Sequence, residues 1–430
     1  MWRRVGRDSA IFTASAIVMA LLQIAFRMVA VSGLAVSDYG RVALLLSVFN
    51  TALVVGHFSV PIAAVRLATL SGPRARDPLL LRRLAWSATV PAVAASLVVA
   101  AAGFAFTGAA GAAIVAAAGM LPMVVAVLAA GYLRGKGRVA QSALIQPINA
   151  LAQLVALAVA YGLHGHLNIS TVVAAFAIGN VAAAALAVVF VMRWARRATS
   201  TSEASVSTAG EILHFSAWLT FANAGIYVFT VAPRLDLLAG SYREVAFFDL
   251  ALLVYTLPSR LSASFVTALI PVATGVSSRG ERVAVPSGLD LVVLGVAAGA
   301  IDLVLWLTGV LHRILDLVGL QAYSSSASLL LILLLAVPGE LFFALHSALF
   351  QAFAMPRRLA LVVWATAVPF LILGPLAALV SPSLLAVLLV AAYWVLGLVA
   401  RRLSPPDTFE VVHLSQRLLR SHRRPGGVTV

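Results

Sequence analysis

The chain has 430 residues, 62% of them hydrophobic and only 10% charged, with a mean hydropathy of +1.03. A soluble domain of ordinary composition is about 45–50% apolar and ~25% charged, so the chain reads as a polytopic membrane protein. With no cysteine it holds no disulfide, thiolate zinc site or catalytic thiol, and its formal charge of +15 lies mostly between apolar runs, which speaks for membrane topology rather than nucleic acid.

Apolar stretches able to cross ~30 Å of hydrocarbon fall at 9–35, 41–66, 84–106, 110–133, 140–163, 170–193, 212–239, 245–272, 288–309, 326–352, 359–380 and 382–401, which predicts twelve spans. The first follows a basic stretch, Met1 to Asp8, and is too long for a signal peptide, so it reads as a retained helix. Most basic residues then fall on one side. They include Arg3, Arg4 and Arg7, Arg82 and Arg83 after span 2, Arg134 and Lys136 after span 4, Arg196 and Arg197 after span 6, and Arg401 and Arg402 after span 12. Only Arg41, Arg234, Arg243 and Arg313 are expected on the other side. The positive-inside rule makes both termini cytoplasmic.

The stretch "ATSTSEASVSTAG" (198–210) is the least apolar internal segment and reads as a cytoplasmic linker. It separates an N-terminal lobe, 1–197, from a C-terminal lobe, 211–402, and a basic tail, 403–430, follows. The tail segment "FEVVHLSQRLLRSHRRPGG" (409–427) reads as a short interfacial helix or a solvated tail. The lobes share landmarks in the same order: Pro61 with Pro271, Pro122 with Pro338, Pro147 with Pro369. Six spans per half make the repeat parallel, and such folds place a substrate path between the lobes. The fold class is therefore an all-α integral membrane protein, two parallel six-helix lobes around a central cavity.

An ionisable group within a span costs at least ~2.5–3.5 kcal/mol, so it faces a cavity or a partner. Span 1 carries Gln23 and Arg27, and span 2 carries Ser47, Asn50 and His57. Span 5 has Gln146, Asn149 and Gln153 on one face, and span 7 has Asn223 and Tyr227, then Arg234 and Asp236 near its outer end. In span 8, "FFDLALLVYTLPSRLSASF" places Asp249 and Arg260 eleven residues apart and so on one helical face. Span 10 has Glu340, Ser347 and Gln351 in a row. Stripes on so many spans suggest a hydrated cavity shared by both lobes; interhelical hydrogen bonding is the competing reading for each amide.

Arginine matches phosphate oxygens bidentately, so Arg27 and Arg260, one per lobe, are candidates to grip a pyrophosphate. Their competing roles are structural, Arg260 with Asp249 or Glu340 and Arg27 with Asp236. Asp249 and Glu340 are candidates to carry a coupling proton or sodium ion, or to balance the arginines. "HGH" (164–166) is a weak metal signal, and no Walker A sequence is present, so neither a metal nor a cofactor is expected.

The stretch "RMVAVSGLAVSDYGRVALLLSVFNTALVVGHFSVPIAAVRLATL" resembles the start of Wzx-type polysaccharide flippases. These belong to the multidrug/oligosaccharidyl-lipid/polysaccharide (MOP) exporter superfamily. The features are Asp38, Tyr39 and Gly40 at the turn into span 2 and Arg66 after its aliphatic end. "PRLDLLAGSYREVAFFDLALLVYTLPSRLSASFVTALIPVATG" is similar to that family's span 7 to 8 region, through Asp236 and Pro271. The resemblance implies a MOP/MATE-like fold working by alternating access, in the cytoplasmic membrane of a bacterium. Its cargo would be a polyprenyl-diphosphate-linked oligosaccharide moved from the inner to the outer leaflet for cell-surface polysaccharide assembly. Related lipid II flippases use arginines of helices 1 and 8, which Arg27 and Arg260 match by helix. Gln23, Asn50, Gln146, Asn149, Gln153, Asn223 and Tyr227 would then contact the sugars. The partners implied are membrane lipids and polysaccharide assembly proteins. A drug or metabolite antiporter of the same superfamily and a non-transporting scaffold are the rival readings. A glycosyltransferase is disfavoured by the short outward loops, so the protein is not expected to be an enzyme.

Overall fold

The computed structural model describes residues 2–70, 75–76, 78–198, 200–201, 209–238, 240–255, 269–270, 273, 283–286, 300, 304–305, 307–317, 321–353, 355–404 and 409–412. Among these residues nine helices are long and apolar enough to cross a membrane, and one bent pair makes a tenth. The protein is a multi-pass membrane protein. Spans 8 and 9 fall largely outside the described residues, and so do Arg260 and Pro271.

The first half begins with α1 (Trp2–Gly33) and α2 (Val36–Gly56). The sequence suggests one unbroken span over 41–66, but the chain turns at 57–59 and restarts as α3 (Val60–Leu70). Phe58 and Ser59 both adopt φ 48°, a left-handed conformation that stops the helix. Pro61 then sits in the first turn of α3, where a missing N–H costs nothing. Next come α4 (Pro78–Thr107), α5 (Ala110–Ala118), α6 (Met120–Gly135), α7 (Val139–His164) and α8 (Ile169–Arg197).

The second half has α9 (Ala209–Leu237), α10 (242–255) and a short α11 (Val310–Leu317). It continues with α12 (Ser325–Leu334), α13 (Val337–Ala352), α14 (Pro356–Val380) and α15 (Pro382–Leu403). α12 and α13 meet at a 48° bend. Pro338 opens α13 just as Pro122 opens α6, so both landmark prolines mark breaks in corresponding spans. At each, the ring occupies a first turn, whose N–H groups have no helical partner anyway.

Packing repeats between the halves. α1 lies on α7 as α9 lies on α14, α6 on α8 as α13 on α15, and α7 on α8 as α14 on α15. The basic-side segments repeat too. β1 (Ala75–Arg76) pairs in parallel with β2 (Ser200–Thr201), and β3 (Val283–Pro286) pairs in parallel with β4 (Phe409–Val412). Each pairing joins the segment after the second span of a half to the segment after its sixth. This corrects the helical expectation at the start of the tail: residues 409–412 are extended because β3 satisfies their backbone groups.

The halves meet where α2 and α3 pack on α9. Close approach at the end opposite the basic segments depends on Gly40: a β-carbon there would collide with the Tyr242 carbonyl at the start of α10. One apolar core fills the second half around Phe229, Phe350 and Phe370, and another fills the first half around Phe49, Leu84 and Tyr132. Side chains such as Val90, Leu163, Ile372 and Leu379 are exposed, as lipid-facing residues must be.

Candidate functional site

Between the halves lies a cavity of about 460 Å³. The last turns of α1 bring Gln23 and Arg27 to it, one helical turn apart. Ser47 and Asn50 come from α2, Gln153 from α7, Tyr227, Thr230 and Arg234 from one face of α9, Tyr255 from α10, Glu340 from α13 and Tyr393 from α15. The lining is thus mixed, with polar side chains drawn from both halves set among apolar surface from residues such as Phe26, Phe176 and Leu252.

At one end of this cavity four donors converge on Asp249, which is only 1% exposed. Its Oδ1 accepts Nε (2.9 Å) and Nη2 (2.7 Å) of Arg234. Its Oδ2 accepts the Tyr39 hydroxyl (2.8 Å) and Nη1 of Arg27 (3.3 Å). Arg234 also donates to the Thr230 carbonyl, and the Arg27 guanidinium lies 5.9 Å from the Tyr39 ring centre. A buried carboxylate is stable only when its lone pairs and charge are met, and here both are. Arg27 and Tyr39 belong to the first half, Arg234 and Asp249 to the second, so two of the four bonds cross the interface.

Tyr39 lies about 12 Å along α2 from Ser47, toward the Gly33–Val36 turn. The charge cluster therefore lies between the cavity and the ends joined by that turn. An aromatic group extends the cluster: the Tyr323 ring lies edge-on to Tyr39 (6.3 Å) and to Phe247 (5.8 Å). Burial, with help from the Asp249 charge, pushes the Tyr323 hydroxyl up to about 12, so it stays protonated. Elsewhere on the wall Tyr255 donates to Glu340 Oε2 at 2.5 Å, and the Tyr393 ring lies tilted against Tyr255 at 6.3 Å between ring centres.

Gln23, Arg27, Asn50, Gln153, Tyr227 and Glu340, all expected from the sequence, are brought together at the cavity, with Asp249 behind its arginines. Others are not. Asn149 is buried and forms an amide chain: Gln153 donates to it (2.5 Å), it donates to Asn180 (2.9 Å), and Asn180 donates to the Gly119 carbonyl (3.2 Å). That chain ties α7 and α8 to the α5–α6 break. Asn223 instead donates to the Ser59 hydroxyl at 3.0 Å, bonding the halves at the break in span 2. Gln146 is half-buried and does not line this cavity. The pairing of Arg27 with Asp236 is not formed; Arg27 meets Asp249, and Asp236 Oδ2 is buried without a hydrogen-bond partner.

Arg234 is the main residue whose part in the site sequence reasoning missed. It lies in the last turn of α9, at the span end where the sequence put it, but it faces the cavity and meets Asp249 instead of standing at the solvated edge. Its spacing from Tyr227, seven residues or about two turns, was the available signal.

No protein-family model matches the chain, and no curated protein does. Solved structures do. A MATE transporter in complex with MaL6 superposes with a TM-score of 0.67 at 15% identity, covering 93% of this chain and 96% of that one. A MOP superfamily transporter from Pyrococcus furiosus, described as having a binding pocket of reversed polarity, gives 0.66 at 14% identity, covering 93% and 95%. The inward-facing form of a multidrug resistance MATE family transporter gives 0.61 at 15% identity, covering 92% and 98%. Likeness at this identity and coverage shows a shared architecture over nearly the whole chain: the protein has the MATE-like fold of MOP-superfamily transporters.

Proposed function

We propose that the protein is an alternating-access transporter that flips a polyprenyl-diphosphate-linked oligosaccharide from the inner to the outer leaflet of a bacterial cytoplasmic membrane. One observation carries the reading: two arginines from opposite halves border one cavity and share a single carboxylate. A diphosphate offers those guanidinium groups the same charge-assisted bonds that Asp249 offers now. A cavity of about 460 Å³ suits a headgroup, within the ~300–1,000 Å³ usual for small-ligand sites. The prenyl tail would stay in lipid, and Gln23, Asn50 and Tyr227, which line the same cavity, would contact the sugar.

The mechanism follows from ligand exchange. Arg27 and Arg234 turn from Asp249 to the diphosphate. The Arg27–Asp249 bond across the interface is then lost, and the halves separate on the side the cluster had sealed. Asp249, left without its cations, takes up a proton, because an uncompensated buried charge costs several kcal/mol. Release of the diphosphate outward returns the arginines to a deprotonated Asp249. Proton uptake and release at Asp249 thus accompany the exchange of ligands on the arginines, with Glu340 as a second carboxylate on the same cavity. Arg260, expected from the sequence as the second grip, lies outside the described residues, and Arg234 takes that role in this reading.

A second reading, an antiporter for organic cations, is favoured by Glu340 and the tyrosines around it, since aromatic faces and a carboxylate suit a cation. The experiment that separates them follows lipid-linked oligosaccharide by leaflet in cells lacking the gene. Build-up in the inner leaflet, relieved by the wild-type gene but not by Arg27→Gln or Arg234→Gln, supports flipping. No build-up, with redundant flippases removed, favours the antiporter.

A further inference from the structure

We propose that the basic end of the seam between the two halves binds the headgroup of an anionic phospholipid, through Arg82 and Arg83 with Trp86 as its platform. Two adjoining surface clefts, of about 470 Å³ and 220 Å³, share Arg82 and Trp86 as walls. Arg83 and Leu79 on α4 complete the larger cleft, and Leu213 closes it from α9 of the other half. α4 and α9 are in contact, so a ligand here touches both halves. The nearest acids in sequence, Asp77 and Glu211, lie outside the described side chains.

Depth along α4 points to a lipid rather than a soluble anion. Val90, Val93 and Leu97 are 75%, 47% and 68% exposed on the outer face of this helix, so that face lies in hydrocarbon. Trp86, 68% exposed, sits one turn before them, and Arg82 one turn before that. Arg82 is thus only about 12 Å from Val90 along the axis. Tryptophan followed by arginine at the edge of a lipid face marks the headgroup layer. Basic clefts between spans on the cytoplasmic side suit anionic headgroups, each arginine there adding attraction. A phosphodiester on Arg82 and Arg83 would keep its acyl chains along Trp86 and Val90, and its headgroup against Leu213. A lipid held in this way favours the conformation in which α4 and α9 touch here. The inference rests on the membrane placement and not on the cargo proposed above.

The test uses the full chain in vesicles of phosphatidylcholine with brominated phosphatidylglycerol, or with brominated phosphatidylcholine instead. Trp86 fluorescence is isolated by subtracting Trp86→Phe, which keeps the other six of the seven tryptophans. Bromine on phosphatidylglycerol should quench Trp86 with at least ~5-fold tighter apparent association than bromine on phosphatidylcholine, the size expected of one basic residue near an anionic group. Arg82→Gln with Arg83→Gln should abolish the difference, and Arg82→Lys with Arg83→Lys should retain part of it in a protein of unchanged gel-filtration profile. Equal quenching by both lipids in the wild-type protein would overturn the proposal and leave only bulk lipid contact. Displacement by millimolar inorganic phosphate would overturn it in favour of a soluble-anion site.

Discussion

Replacing Asp249 by Asn probes both the stability of the charge cluster and the seal it forms. The side chain keeps its size but loses its charge, and one of its two oxygens becomes an N–H donor. Four donors now meet a group that accepts properly at one atom only. Two guanidinium groups, with side chains 13% and 11% exposed, lose their counter-charge. Removing one partner of a buried ion pair costs about 3–5 kcal/mol, and that loss is expected here in equilibrium unfolding of the purified protein in mixed micelles. Arg27→Gln alone should cost less, about 1.5–3 kcal/mol, because Arg234 still neutralises the carboxylate. In the Asp249→Asn, Arg27→Gln double variant the losses should fall short of their sum by at least ~1 kcal/mol, since each removes part of the same interaction. Access reports the seal. The chain has no native cysteine, so Ser47→Cys gives a single label site in the cavity. Impermeant maleimide should reach it from the basic side in the wild-type background, and from the opposite side as well once Asp249→Asn is added. Stability within ~0.5 kcal/mol of wild type would refute the assignment of the cluster as a mutually dependent set. An unchanged labelling pattern would refute its role as a seal.

Other outcomes are equally specific. Tyr39→Phe removes one charge-assisted donor and should lower stability by about 1.5–3 kcal/mol, with a smaller rise in labelling from the opposite side. Gly40→Val should disrupt folding, read as loss of monodisperse protein on gel filtration, because the Tyr242 carbonyl occupies the space. Asn149→Ala should cost about 1–3 kcal/mol in unfolding by orphaning Gln153 and Asn180, yet leave transport per folded molecule near wild type. Glu340→Gln should preserve the Tyr255 contact and separate coupling from structure: slowed transport in a protein of unchanged stability would assign the charge a coupling role.

Much of the fold was legible without coordinates because the bilayer simplifies the rules. Backbone groups in hydrocarbon must be satisfied within a helix, so long apolar runs had to be helical spans, and alternation of basic loops ordered them. The repeated prolines carried real information as well, since Pro122 and Pro338 mark corresponding breaks. Polar periodicity picked out Gln23, Arg27, Asn50, Tyr227 and Glu340, which do share a cavity. The same signal was blind to depth and partner. It could not tell Gln153, on the cavity wall, from Asn149 next to it in the buried amide chain. It also left Arg234 out of the site, because a charge near the end of an apolar run reads the same whether it points to solvent or back into the protein.

The sequence by itself determined that this chain crosses a membrane many times, in two related halves with polar faces between them. Those properties follow from composition, length and periodicity, which are local. Only the tertiary structure decided which cation meets which anion. Arg27 to Asp249 spans 222 residues and Tyr39 to Asp249 spans 210, and both depend on Gly40 letting α2 approach α10. A buried ion pair is specific in its geometry but not in its sequence spacing, so the Asp249 cluster became visible only when the two halves were brought together.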